Sequence, residues 1–585
     1  MYCFFRTSEV KQLLYSRLMR HFKNFFSVFR NQRLAYFIFV GVLFLPSFLL
    51  LFTQEISFWR ILISISLPLG AYLILMALAR KPGKMLWLLF PLVFLGAFQI
   101  VLLYLFGGSV IGVDMFLNVA TTSPGEAFEL LDKLLPAIAT VVAVYIPALI
   151  LGVVSIKNET VVSKFFRRFF IKSGTMILIL GFFSTLVVYG REENFAVKLD
   201  VFPVNVIYNL KLAFQKWYKI KHYPEISSKF KYNAFSTRAP ELKEIYVMII
   251  GETSRAYNWE IYGYPKNTNP YLASDTSWIV YRDMLTQSNT THKVVPIFLS
   301  PASAENYGIV YECKSIITAF KEAGFKTAFF SNQSRNRSFT DFFGEEAEVY
   351  VNLNDSLKTG MRRFYDRELL KYFEEFISSA GSKCFVVLHT YGSHFNYNER
   401  YPEDKAYFRP DRIGKISLEY RESLTNAFDN TIRGVDEFLY EVKEGLKRTG
   451  AVSACVYASD HGEDVIDDER NLFLHASPVP SFYQLHIPLL FWMSDAYVGQ
   501  CFSEYRETKK HRNTPVTTNV IFHSFLEIGG ISTPYLDNSR SVAGTAFRET
   551  PRFYLDDHDK ARPYNDLGMK EEDAEMFRRF GLKYP

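Results

Sequence analysis

Five long apolar runs within the first 190 residues constrain this chain more than anything else in it. Leu34 to Phe52, Ile61 to Ala79, Met85 to Phe106, Leu134 to Val154 and the shorter Thr175 to Tyr189 each approach the ~20 helical residues that cross a bilayer. A single such run would fit a buried helix of a soluble protein as well; five in succession read as transmembrane helices. A cleaved signal peptide fits poorly, because the first run lacks a small-residue cleavage site and is followed by another span. The five runs contain no Asp, Glu, Lys, Arg or His, which argues against a transporter.

Charge then sets the orientation. Met1 to Arg33 carries Arg6, Lys11, Arg17, Arg20, Lys23, Arg30 and Arg33 against the single acid Glu9. The turn Arg80 to Lys84 and the loop with Lys157, Lys164, Arg167, Arg168 and Lys172 are basic as well, whereas Gly107 to Asp132 has no Lys or Arg and carries Asp114, Glu126, Glu129 and Asp132. Basic loops mark the cytoplasmic side, so the N-terminus is expected inside and everything after Tyr189 outside, which in a bacterium is the periplasm. The net charge of +6 clusters beside apolar segments and not along an aromatic-lined groove, so the expected partner is membrane and not nucleic acid. Val204 to Tyr223 mixes aromatic and aliphatic residues with lysines. It reads equally as an interfacial helix or as a linker helix packed on the following domain.

The expected division is residues 1–190 in the membrane, 191–242 as interfacial helix and mostly polar linker, and 243–585 as a soluble domain. In that last part apolar runs at Ile245 to Ile250, Phe325 to Ser331, Cys384 to Leu388, Ala451 to Val456 and Ile487 to Met493 alternate with helical patterns, clearest at Ser315 to Ala323 and Glu419 to Lys447. The pattern implies an α/β fold with a mostly parallel sheet covered on both faces. Five cysteines, Cys3, Cys313, Cys384, Cys455 and Cys501, form no CxxC pair, and no disulfide is expected.

Ligand sites in open α/β sheets gather beyond the carboxyl ends of strands. Three of these strand ends carry metal-type side chains: Gly251-Glu252-Thr253-Ser254, His389-Thr390-Tyr391-Gly392-Ser393-His394, and Ser459-Asp460-His461-Gly462-Glu463. An isolated Asp-His pair is more often a hydrogen-bonded turn, but three ends converging favour a zinc-type site with carboxylate and imidazole donors, Glu252, Asp460 and His461. A metal can activate a hydroxyl at neutral pH, and the stretch Leu285 to Pro296 offers Thr286, Ser288, Thr290 and Thr291; residue chemistry alone does not choose among them.

The stretches Gly251 to Arg255, Tyr262-Gly263-Tyr264-Pro265-Lys266-Asn267-Thr268-Asn269-Pro270, His389 to His394, Ser459 to Glu463 and Leu474-His475 resemble, in the same order, the motifs of bacterial phosphoethanolamine transferases. The resemblance covers nearly the whole chain. It implies a five-span inner-membrane enzyme with a periplasmic domain of the alkaline-phosphatase or sulfatase type. It also implies phosphatidylethanolamine as donor, and lipid A, core lipopolysaccharide or another envelope glycolipid as acceptor. The family's nucleophilic threonine lies five residues before a proline, which selects Thr291, with Thr290 next. By resemblance, Glu252, Thr291, Asp460 and His461 hold a catalytic Zn2+, His394 and His475 line the phosphate site or a second zinc, and Asn118, Thr122 and Glu126 help bind the lipid donor. A spacing of four would put these last three on one helical face, although Ser123-Pro124-Gly125-Glu126 reads equally as a capping box. Members acting on lipid A commonly carry cysteine pairs around the nucleophile, and Asn289 to Ile297 has none, which weakens the transfer of acceptor identity from those members and leaves the metal ligands untouched. The chain is expected to act as a monomer. The competing readings are a phosphoglycerol transferase or other sulfatase-superfamily hydrolase, and a catalytically dead membrane-anchored binding protein.

Overall fold

In chain order the helices begin with α1 (Gln32–Leu50), α2 (Phe58–Leu78), α3 (Pro82–Leu88), α4 (Phe90–Phe106), α5 (Val113–Thr121), α6 (Leu135–Lys157), α7 (Lys164–Tyr189) and α8 (Val204–Lys221). The computed structural model describes residues 31–53, 56–106, 110–121, 134–191, 195–356, 364–414 and 416–583. Contacts divide the chain into two units, Met1–Ile111 with Leu131–Lys211, and Gly112–Leu130 with Leu212–Pro585.

In the first unit α1, α2, α6 and α7 are each long and apolar enough to cross a membrane, and α3 with α4 makes a fifth if the bent pair is one span. The bend is 68°. It falls where Pro91 removes the amide that would continue the hydrogen-bond ladder, so the expected third span is broken and not straight. The last span also starts earlier than its apolar run: Ser163 caps α7 by accepting from the Phe166 amide at 3.2 Å, which places Lys164, Arg167, Arg168 and Lys172 on the helix and not in a loop. Arg167 there donates to the Ala77 and Leu78 carbonyls, 2.6 Å each, at the open end of α2. Helices α2 and α7 approach through small residues. A Cβ on Gly70 would lie 2.9 Å from the Gly174 carbonyl oxygen, and one on Gly174 2.8 Å from that of Gly70.

Helix α8 leaves Val204, Ile207, Leu210, Phe214, Trp217 and Tyr218 exposed while Val206 and Ala213 are buried. An apolar stripe facing solvent at helical spacing is the pattern of a helix that meets lipid headgroups.

The second unit is built on a seven-stranded sheet. Its strands are β1 (Glu244–Gly251), β2 (Ile279–Tyr281), β3 (Lys326–Ser331), β4 (Val349–Asn352), β5 (Lys383–His389), β6 (Val452–Ser459) and β7 (Leu489–Met493), in the order β2-β7-β6-β1-β5-β3-β4. Strands β6, β1, β5, β3 and β4 run parallel, and β7 is antiparallel to both neighbours. All residues of β1, β5 and β6 are buried, because both faces are covered. Tyr246, Met248 and Ile250 face a core with α9 (Thr291–Leu299) and, further along the chain, the helix Val520–Ile528, while Ile245, Val247 and Ile249 face one with Leu369–Ser379 and Arg421–Thr449. The short β2 and β4 were not expected, since three or four residues are too few to show a period.

Candidate active site

The centre of the sheet ends at one point. Glu252 follows β1, Asp460 and His461 follow β6, and the two strands are parallel neighbours in register from Glu244 with Val452 to Gly251 with Ser459. Donor atoms of Glu252, Asp460 and His461 all lie within 4.8 Å of one another, and all three residues are buried. His461 Nε2 is 3.2 Å from Asp460 Oδ2 and 3.7 Å from Glu252 Oε1. Its Nδ1 meets the Gly462 carbonyl at 3.0 Å; a carbonyl only accepts, so Nδ1 carries the proton and Nε2 offers its lone pair to the cluster.

Thr291, the first residue of α9, closes the group. Its Oγ1 lies 3.2 Å from His461 Nε2 and 3.3 Å from each Glu252 oxygen. Thr290, the alternative nucleophile, is the N-cap residue of α9, and its Oγ1 is 3.4 Å from the Ser288 hydroxyl. Thr286 donates to the Asp460 and Ser288 carbonyls.

The surrounding backbone fixes these donors. Asp460 Oδ1 accepts from the Thr253 amide at 3.0 Å and the His461 amide at 2.7 Å, whereas the buried Oδ2 has no protein hydrogen-bond partner. A buried orphan oxygen on a carboxylate, in a set of two carboxylates and an imidazole, fits a metal of the zinc type. Burial raises Glu252 well above the usual carboxylate range, helped by the Asp460 charge, and lifts Asp460 to about 6; burial also pushes His461 well below its ordinary value. A cation there would relieve all three at once. Thr253 sits at φ 63°, a left-handed conformation that a β-branched residue rarely adopts, while its hydroxyl donates to Glu252 Oε1 at 2.8 Å.

Of the other expected site residues, His475 packs its ring 4.2 Å from that of His461, and His394 lies 6.0 Å beyond His475, between ring centres. His475 Nδ1 is held by Glu463 Oε1 at 3.1 Å, whose other oxygen accepts from Tyr397 at 2.6 Å; His394 Nδ1 is held by the Phe395 carbonyl at 2.6 Å. Asn118 lies on α5, and Thr122 and Glu126 lie outside the described residues. The third strand end contributes differently than its histidine suggested: His389 is turned against Phe329 and outside the donor cluster. Sequence reasoning passed over Gln333, two residues past β3, whose Nε2 donates to Glu252 Oε2 at 3.0 Å and to the Thr390 carbonyl at 2.9 Å. The rule that flagged the other three strand ends applies equally to this one.

Comparison with known proteins places the chain in a family. Residues 244–531 match the family described as Sulfatase, and residues 69–218 match the family described as Phosphoethanolamine transferase EptA/EptB. The chain belongs to the phosphoethanolamine transferase family. Phosphoethanolamine transferase EptA of Escherichia coli K12 is 27% identical over 518 residues, spanning 84% of this chain and 92% of the relative. The Kdo(2)-lipid A phosphoethanolamine 7''-transferase of Salmonella typhimurium is 28% identical over 257 residues, 43% of this chain and 45% of its own length. Among solved structures, the integral membrane protein lipooligosaccharide phosphoethanolamine transferase A of Neisseria meningitidis covers 87% of this chain and 97% of its own. Its TM-score is 0.69 at 20% identity, and it shares the fold of apolar helices followed by a sulfatase-like domain. The C-terminal periplasmic domain of EptC from Escherichia coli, solved as a complex with Zn, covers 57% of this chain and 96% of its own with a TM-score of 0.52 at 24% identity.

Proposed function

We propose that this family member moves phosphoethanolamine from phosphatidylethanolamine to an envelope glycolipid through a covalent intermediate on Thr291, on the periplasmic face of the inner membrane. The observation that carries the reading is the place of Thr291 Oγ1, within 3.3 Å of both Glu252 oxygens and of His461 Nε2. A hydroxyl that only capped a helix would have no reason to sit among three ligand-type side chains.

Glu252, Asp460, His461 and Thr291 are the residues that would hold Zn2+, which supplies charge to lower the hydroxyl pKa and to balance the phosphoryl oxygens. Thr291 gives up its proton and bonds to phosphorus as the bond to the diacylglycerol oxygen breaks, and that oxygen takes up a proton as it leaves. Thr291 stands at the N-terminus of α9, a setting that favours negative charge. His475, steered by Glu463, and His394 stand on the imidazole side of the cluster and would orient phosphoryl oxygens or the ethanolamine end. An acceptor hydroxyl or phosphate then attacks the same phosphorus and restores the threonine. The lipid donor would be met by the α5 segment, where Asn118, Thr122 and Glu126 are its proposed contacts, and the exposed stripe of α8 would lie at the headgroups.

Intact-protein mass spectrometry of purified protein incubated with phosphatidylethanolamine tests the reading. A phosphoethanolamine adduct is expected on the wild type, with release of diacylglycerol, and none on Thr291→Ala. An adduct that persists in Thr291→Ala displaces the nucleophile. An adduct formed only with phosphatidylglycerol moves the chain to a phosphoglycerol donor.

A smaller effect is expected at Gln333, which steadies Glu252 from outside the ligand set. Gln333→Leu should weaken zinc by about tenfold, the lower end for partners that orient a ligand. Competition with a chelator measures this, and an unchanged affinity would mean that Thr253 alone holds Glu252 in place.

A further inference from the structure

Two residues past Thr291, Lys293 is 1% exposed, and nothing in the transfer chemistry uses it. Its ammonium makes a 2.6 Å ion pair with Asp114 Oδ2, lies 3.3 Å from Asp559, and donates to the Asp556 carbonyl at 2.6 Å. Asp114 belongs to the first turn of α5, far from α9 in the sequence. The start of α5 is gripped a second time: Asp557 accepts from the Val113 amide and, at 2.7 Å, from the Asp114 amide, so a carboxylate from a distant loop caps the helix. Lys216 on α8 joins the same loop through Asp559 at 2.8 Å and the Asp557 carbonyl at 3.2 Å, and stands 3.8 Å from Asp114. His292 Nε2 touches Asp114 Oδ1 at 3.3 Å.

Burying a lysine and an aspartate costs several kcal/mol per ion unless the two are paired with good geometry. Here both ions are charged. Burial raises Asp114, but Lys293 and Lys216 outweigh that and hold it well below the carboxylate range; burial lowers Lys293, and Asp114, Asp559 and Asp557 more than restore it. An apolar contact would join two helices at lower cost, so the directionality of an ion pair is what this site gains.

We propose that Lys293 is a positioning residue: its buried pair with Asp114 locks the first turn of α9 to α5, which points Thr291 at Glu252 and His461 and ties the donor-side helix to the nucleophile. The inference rests on the reading of Thr291 as nucleophile. The lock acts on that side chain because Lys293 and Thr291 share one helical turn. A shift of about 1 Å at a reacting atom costs on the order of 10²-fold in rate.

The test uses the full-length protein in lipid nanodiscs and four variants: Lys293→Met, Asp114→Asn, the double variant, and Lys293→Arg. Lys293→Met leaves Asp114 short of its closest partner and is expected to lower stability. The double variant removes both charges, leaves Lys216 paired with Asp559, and should recover the wild-type Tm. With phosphatidylethanolamine as probe, Lys293→Met and the double variant are expected to form the Thr291 adduct about 10²-fold more slowly at wild-type zinc content. The double variant should be no slower than the single one, and Lys293→Arg should lie within about tenfold of the wild type. A double variant with the wild-type rate overturns the inference, as do rates that simply follow Tm through the series. If the wild type itself forms no adduct, the nucleophile reading falls separately, and amide hydrogen exchange decides the lock. Exchange at residues 291–295 that is about tenfold faster in the double variant supports it, and unchanged protection overturns it.

Discussion

Asp460→Asn is expected to cost the protein its zinc while leaving its metal-free fold as stable as before, or more so. The asparagine carbonyl can keep both amide bonds that Asp460 Oδ1 now accepts, from Thr253 and from His461. What changes is Oδ2, the oxygen 3.2 Å from His461 Nε2 with no protein donor of its own, which becomes an NH2 and cannot ligate. Partners that only orient a ligand are worth 10–100-fold in metal affinity, so loss of a ligand atom should exceed about 10²-fold. Without metal, however, the wild type buries two carboxylates together, and burial holds Asp460 at about 6 and raises Glu252 well above the usual carboxylate range. A neutral amide relieves that cost. The two proteins should therefore change order: in chelator Asp460→Asn melts at or above the wild type, and in excess zinc it melts below, because only the wild type gains the roughly 2.7 kcal/mol that a ligand at 100 times its Kd contributes. Thermal melts with and without chelator, together with metal analysis, read both halves. The same melting order under both conditions would mean that this corner does not bind the metal.

How much of this could be seen in the sequence depends on what each residue was asked to show. Strands buried on both faces read as unbroken apolar runs, so β1, β3, β5, β6 and β7 could be placed from composition alone, and with them the idea that their ends meet. Whether a side chain at a strand end joins the site depends on parity, which a run of apolar residues hides. His389 is the last residue of β5 and shares the alternation of Phe385 and Val387, so it turns into the core beside Phe329. Glu252 lies one residue past its strand, where the left-handed turn at Thr253 breaks the alternation and directs the carboxylate inward. No pattern of hydrophobicity announces that turn.

Pairings between distant segments were hidden for a different reason. Asp114 was legible only as an acid in a loop without lysines, useful for orientation, and Lys293 only as a neighbour of the nucleophile. Nothing local couples them, since the pair exists only where the tertiary fold brings the start of α5 to the first turn of α9. The start of α7 shows the opposite case: the signal, Ser163 before a helix-forming stretch, is present in the sequence, but the dense basic residues after it read equally as a cytoplasmic loop.

The second large effect is expected at Gly462. This residue's carbonyl anchors His461 Nδ1 at 3.0 Å, and its amide donates to the Gln484 carbonyl at 2.9 Å, so the segment after β6 lies directly on residues 483 and 484. A Cβ on Gly462 would overlap the Tyr483 carbonyl oxygen and stand 2.7 Å from Arg255 Cβ. Neither neighbour yields easily. The first is backbone, and Arg255 is 1% exposed, with its guanidinium held by both Asp467 oxygens at 2.6 and 2.8 Å. Overpacking against flexible side chains costs about 1–3 kcal/mol, and a clash with backbone belongs at or above the top of that range. Gly462→Ala should lower Tm by at least about 3 °C even in chelator, which Asp460→Asn should not. It should lose zinc as well, because moving the Gly462 carbonyl turns the imidazole whose Nε2 faces Glu252 and Asp460. A variant with wild-type Tm and zinc content would show that residues 482–484 can retreat. If both fall together, one close crossing of two chain segments both stabilises the sheet's active edge and aims its histidine, and selection on either property would keep the glycine.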